Sequence, residues 1–229
     1  MQLHSWQNLT ADGNVRGLKY SFGPGTANTM AAKLADGTWL VVSPSSGSPD
    51  PALDALEGGV SALLAPNGFH HMGQAAWRAR FPGATSYAAE GSLPRLAAKC
   101  VGVTFRPLTE LSEKLPAAVA VLEPAGMKVT DLLVRASSGG ETAWFSGDIL
   151  SNTTAADLSA VPRFVIGLFG GVGGYRYNKI PAFLYVKDRP VFTRSLREAF
   201  EAAPATVVYP AHGDPVTADV MGQTRALLA

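Results

Sequence analysis

The chain has 229 residues, of which 47% are hydrophobic and 16% charged, so it can bury a substantial core and is not a disordered protein. Its 19 Lys and Arg against 18 Asp and Glu leave a net charge of +1, which provides no electrostatic footprint for nucleic acid or an anionic membrane. The single cysteine, Cys100, cannot form an internal disulfide and suits a reducing compartment. The first seven residues lack a basic segment followed by an apolar run, and the apolar stretch 164–169 is far shorter than the roughly 20 residues that span a bilayer. These features predict a soluble cytoplasmic protein with a small-molecule ligand. The low charge and high apolar fraction are compatible with a homodimer.

With 24 glycines and 16 prolines, many short elements joined by tight turns are expected. Residues 18–22 read as a strand closed by Gly23-Pro24-Gly25. Strands at 29–34 and 38–43 flank Ala35-Asp36-Gly37, a hairpin signal. Residues 44–49 are a loop and 51–56 a short helix. The apolar run 60–65 is a buried strand feeding the turn Pro66-Asn67-Gly68. Helices follow at 73–81 and 92–99, the second with Pro94 in its first turn, and a strand lies between them at 85–88. Strands are expected at 118–122, 131–135 and 142–145, with Ser138-Gly139-Gly140 turning between the last two. Residues 164–174 are apolar and glycine-rich, and the part from Gly167 to Gly174 reads as a flexible loop near a pocket mouth. The clearest helix is 188–203, where Val191, Leu196, Ala199 and Phe200 recur at helical spacing. A strand at 206–209 and a helix at 218–228 close the chain. No linker divides it, so residues 1–229 are expected to form one domain.

The residues suited to chemistry share one architectural address. His70-His71 follows the strand 60–65, His212 follows the strand 206–209, and Ser146-Gly147-Asp148 follows the strand 142–145. Imidazole nitrogens and a carboxylate form a ligand set for zinc, and also for iron or manganese. Other motifs are less specific. Gly167 to Gly174 fits no dinucleotide or phosphate-loop pattern. Tyr175 and Arg176 beside it are candidates for substrate contact or for packing. No Gly-x-Ser-x-Gly elbow exists to support a serine hydrolase, and Cys100 ends an apolar helix, where it is expected to be buried.

In order and context these segments resemble the metallo-β-lactamase fold. Residues 27–30 and 40–43 resemble its opening hairpin. Leu63-Leu64-Ala65-Pro66-Asn67-Gly68-Phe69-His70-His71-Met72-Gly73 stands in the place of its His-x-His-x-Asp-His motif. Phe145-Ser146-Gly147-Asp148 resembles its strand-Gly-Asp segment, and Tyr209-Pro210-Ala211-His212-Gly213 its closing His-Gly segment. The resemblance implies an α/β fold, an αββα sandwich of two mixed β-sheets flanked by helices, with the site at one edge of the sandwich.

The departures from that pattern bear on chemistry. Aligned on His71 and Gly73, the first two His positions are Pro66 and Gly68, and His70 stands where the family has Asp. Met127 replaces the middle His, and Ser43 occupies the loop where the family has Asp. The first metal site of the family is therefore lost, whereas the second retains His70, His71, Asp148 and His212. The resemblance then implies one divalent metal ion, zinc before iron or manganese, in a hydrolase of a small ester, thioester or similar acyl substrate. If His70 ligates together with the other three, the site is closed and structural. If it points away, His71, Asp148 and His212 leave an open position and His70 serves as a general base. The remaining alternative is a metal-free protein that binds a ligand or partner without catalysis.

Overall fold

A computed structural model describes residues 2–229. The first half of the chain builds a seven-stranded sheet in sequential order: β1 (Trp6–Asn8), β2 (Val15–Ser21), β3 (Thr26–Lys33), β4 (Trp39–Val42), β5 (Val60–Ala65), β6 (Thr85–Ala88) and β7 (Phe105–Pro107). β1 to β4 pair antiparallel through short turns. From β4 onward the pairing is parallel, because the chain returns through helices α1 (Asp50–Asp54), α2 (Gln74–Arg80) and α3 (Leu93–Lys99). A short helix, α4 (Leu108–Ser112), leads to the second sheet.

That sheet has four strands in the order β13-β10-β9-β8, formed by β8 (Val119–Leu122), β9 (Leu133–Ser138), β10 (Glu141–Phe145) and β13 (Val207–Tyr209). β8, β9 and β10 form an antiparallel meander, and β13 adds parallel to β10. Between β10 and β13 lie the two-stranded pair β11 (Leu150–Ser151) and β12 (Arg176–Tyr177), and the helices α5 (Ala160–Leu168), α6 (Lys179–Tyr185) and α7 (Arg189–Ala202). Helix α8 (Val220–Leu227) ends the chain.

The alternation of side chains along each strand sorts the apolar residues into layers. Met30, Leu40, Val42 and Leu64 from one sheet meet Val134, Phe145 and Tyr209 from the other in the central core. On the outer face of the first sheet, Trp39, Val41 and Leu63 pack against Trp77 of α2. On the outer face of the second, Trp144 and Val208 pack against Phe192, Leu196 and Phe200 of α7. The architecture is therefore helix, sheet, sheet, helix, with both sheets mixed, as the sequence resemblance implied.

Several elements differ from the sequence expectation. The apolar segment at 164–174 begins inside α5, and only its later part is loop. α5 buries none of its residues. α6 carries Pro181 in its first turn, where no intrahelical N–H is required, and is capped by the Asn178 side chain. β9 begins at Leu133, which leaves Asp131 ahead of the strand.

Candidate metal centre

Strand direction explains why residues far apart in sequence meet. β4 and β5 run parallel, as do β10 and β13, so the segments that follow each pair leave the sandwich at a common edge. Ser43, His70, Asp148 and His212 all lie in those segments. β3 runs antiparallel to β4, so its first residue, Thr26, reaches the same edge.

Among the described residues His70, Asp148 and His212 form a cluster in which one donor atom from each lies within 4.8 Å of the others. The Nε2 atoms of His70 and His212 lie 3.0 Å and 3.4 Å from Oδ1 of Asp148. Each imidazole is held from behind. His212 Nδ1 lies 2.9 Å from the carbonyl oxygen of Thr26, which can only accept, so Nδ1 carries a proton and Nε2 faces inward to Asp148. His70 Nδ1 lies 2.6 Å from Ser43 Oγ. Ser43 adopts φ +54°, a left-handed conformation unusual for serine, secured by Thr29 Oγ1 donating to its carbonyl at 2.7 Å. The segment carrying His212 is strapped by Asn28 of β3, whose Nδ2 donates to the carbonyls of Pro210 and Gly213, each at 2.7 Å.

A second layer fixes Asp148. The buried Asn67 side chain donates to Oδ1 of Asp131 at 2.8 Å and to Oδ2 of Asp148 at 2.9 Å, while its own oxygen accepts from the Phe69 N–H at 2.8 Å. Asp131 in turn accepts the Asp148 backbone N–H at 2.8 Å, and the Tyr185 hydroxyl donates to Asp148 Oδ2 at 3.2 Å. Gly147 has φ +64°, and a Cβ there would lie 2.5 Å from Oδ2 of Asp131, so only glycine allows this approach. The sequence reading missed Asn67, Asp131 and Tyr185 as site residues. Asn67 looked like turn chemistry, and Asp131 like the head of a strand.

The electrostatics centre on Asp148. Burial alone would raise its pKa, but His70 and His212 outweigh burial and hold it well below the usual carboxylate range. Burial, reinforced by the Asp148 charge, pushes Asp131 well above that range. Burial would lower His212, yet its contact with Asp148 raises it. Burial pushes up the Tyr185 phenol, with the neighbouring carboxylates adding to the effect, so it remains a donor.

The other sequence candidates lie elsewhere. His71 stands outside the cluster, near Arg95 and Lys99 of α3, with a buried Nδ1 that has no hydrogen-bond partner and a pKa lowered by burial. Met127 packs against the outer core of the second sheet. Tyr175 packs against that same core and places its hydroxyl 3.3 Å from Thr224 Oγ1. Arg176 donates to the carbonyls of Gly170, Gly173 and Gly174 and so ties the glycine-rich loop together. Cys100 is buried, and burial raises its thiol pKa.

A cavity of about 360 Å³ opens at the cluster, lined by Asp148 and His212 together with mainly apolar residues, among them Phe22, Leu158, Ile166, Ile180 and Leu184. Neither Tyr175 nor Arg176 lines it. The donor set fits a divalent cation. Two imidazoles converge on one buried carboxylate, the Thr26 carbonyl keeps His212 Nε2 facing inward, and the proton that Asp148 draws onto His212 is one a cation would displace.

No protein-family model matches the chain, and no curated protein does. Solved structures do match it along nearly its whole length. A metallo-β-lactamase from Erythrobacter litoralis is similar at a TM-score of 0.64 and 15% identity, covering 97% of this chain and 95% of that one. The metallo-β-lactamase FIM-1 from Pseudomonas aeruginosa, solved in a mono-zinc form, gives a TM-score of 0.61 and 14% identity, covering 98% and 94%. A metallo-β-lactamase from Hirschia baltica gives 0.59 and 12%, covering 98% and 97%. At these identities the likeness establishes the fold.

Proposed function

We propose that this metallo-β-lactamase-fold protein binds one divalent metal ion, zinc before iron or manganese, through His70, Asp148 and His212, and hydrolyses a small ester, thioester or similar acyl compound. The observation that carries this reading is the convergence of those three side chains, two of which, Asp148 and His212, line a cavity. A cation held by these residues would supply Lewis acidity toward an acyl carbonyl and would lower the pKa of a water to about 7. Three protein ligands leave an open position, the condition for catalysis rather than a closed structural site. This reading keeps His70 in the set and leaves out His71, which stands outside the cluster.

The chain's own residues do the remaining work. Ser43 and the Thr26 carbonyl orient the two imidazoles. Asn67, Tyr185 and the Asp148 backbone geometry hold the carboxylate in one rotamer. Because His70 belongs to the donor set, it is not a separate general base. The apolar lining reduces water around the reacting group.

Metal content of protein purified without added metal or chelator tests this reading. About one metal per chain is expected in wild type and in His71→Ala, and loss is expected in Asp148→Asn and His212→Ala. Absence of metal, with no uptake of zinc, iron or manganese by folded protein, would sink it. A non-catalytic ligand-binding role would then follow. One observation favours that second reading: His70 Nε2 already meets Asp148 directly at 3.0 Å, a pairing that needs no cation.

A further inference from the structure

Among the described residues no Lys or Arg lines the cavity at the cluster; Arg95 stacks on the ring of Phe69 at 3.9 Å but is not itself a lining residue. Its titratable lining groups are Asp148, His212 and the Tyr185 phenol, and the rest are apolar side chains with Thr26, Thr153 and Asn178. Leu184 of α6 and Phe69 remain 49% and 43% exposed, so the apolar surface runs out to the rim. Ile166 is the one residue of α5 that lines the cavity, and Leu158 comes from the segment just before that helix. An anionic group placed among these walls would lose its hydration with no cationic side chain among the lining residues to replace it. A hydrocarbon group would gain by leaving water.

We infer that the part of the ligand lying outside the reacting centre is an uncharged hydrocarbon group held against Ile166, Ile180, Leu184 and Phe22. This rests on the hydrolase reading only in calling the ligand a substrate, and the binding preference stands by itself. The acyl compounds it selects are therefore neutral and apolar, not carboxylate-bearing.

The test is binding of butanamide, hexanamide and octanamide, and of the matching carboxylates, followed by calorimetry on the protein as purified and after chelation. For the amides the Kd is expected to fall about four-fold per added methylene in both states. In chelated protein octanoate is expected to bind about ten-fold or more weaker than octanamide. Leu184→Asp and Ile166→Asp should flatten the chain-length series. Phe183→Asp should preserve it, because Phe183 is 80% exposed and does not line this cavity. A series that is flat in wild type, octanoate binding as tightly as octanamide in chelated protein, or a series unchanged in both aspartate variants would overturn the inference. Zinc uptake by the same preparations separates the two claims. A flat series in zinc-binding protein removes the hydrocarbon site and leaves the metal centre. A steep series in protein that takes up no metal supports the hydrocarbon site and removes the hydrolase.

Discussion

Asn67→Ala probes the point on which the candidate centre depends. The side chain is fully buried, and its one amide group donates to two carboxylates, Asp131 and Asp148. The bond to the Asp148 carboxylate contributes about 1.5–3 kcal/mol and the bond to Asp131, whose pKa burial raises, about 0.5–1.5, so losing both removes about 2–4.5 kcal/mol. The Phe69 N–H loses its acceptor as well, which adds about 1 kcal/mol. A water entering the space left by the carboxamide returns part of this, so the expected loss is about 3–4 kcal/mol out of a typical total of 5–15. Urea unfolding at neutral pH on metal-free protein measures it, read from the midpoint at unchanged slope. Asn67→Asp provides a control with a defined sign. It places a third carboxyl group among two others, and a buried acid of raised pKa destabilises most above its unfolded value of about 4. Its deficit should therefore shrink as pH falls towards 4. A loss below about 1 kcal/mol for Asn67→Ala at unchanged slope would show that the carboxylates do not depend on this amide, and the second layer described above would be wrong.

Other substitutions test neighbouring parts of the structure. Gly147→Ala should lose about 1–2 kcal/mol from its left-handed backbone alone, and by displacing Asp131 it should weaken zinc binding about 10- to 100-fold; wild-type affinity in a zinc titration would contradict this. Lys19→Met should lose about 3 kcal/mol at pH 7, because Lys19 Nζ lies 2.6 Å from the buried Asp157 and 2.8 Å from Asp214. Lys19 overcomes the burial that would raise Asp157 and Asp214 and lowers both, so their contribution is lost as pH falls below about 4. The Lys19 pKa is raised, burial being outweighed by those two carboxylates, so its contribution persists until pH rises above about 10. The wild-type advantage over Lys19→Met should accordingly be flat from pH 5 to 9, and stability curves that converge inside that window would refute the assignment. Arg176→Ala should leave global stability within about 1 kcal/mol yet speed hydrogen exchange in the loop 169–174, where the guanidinium holds the carbonyls of Gly170, Gly173 and Gly174; unchanged exchange would show that Arg176 does not order this loop.

Local sequence determined most of the elements and the address of the site. The Asp-Gly turn between two apolar runs, the buried run 60–65 and the helical spacing in 188–203 reappear as the β3–β4 hairpin, β5 and α7. Strand-end segments ending in His70, Asp148 and His212 pointed to one edge because signals within a few residues define strands and turns. Which of two adjacent histidines faces the centre was not legible. The choice between His70 and His71 depends on the turn through Asn67 and Gly68 and on Ser43, which approaches from another strand 27 residues earlier. Asp131 and Tyr185 were equally hidden, since Tyr185 reaches Asp148 across 37 residues and becomes a site residue only when α6 packs over the sheet edge. Composition, periodicity and turn residues are local quantities. The direction in which a side chain points, and the partner it finds, are settled by the packing of segments distant in the chain, and so the choice between the two histidines and the cavity beside the cluster belonged to the tertiary structure.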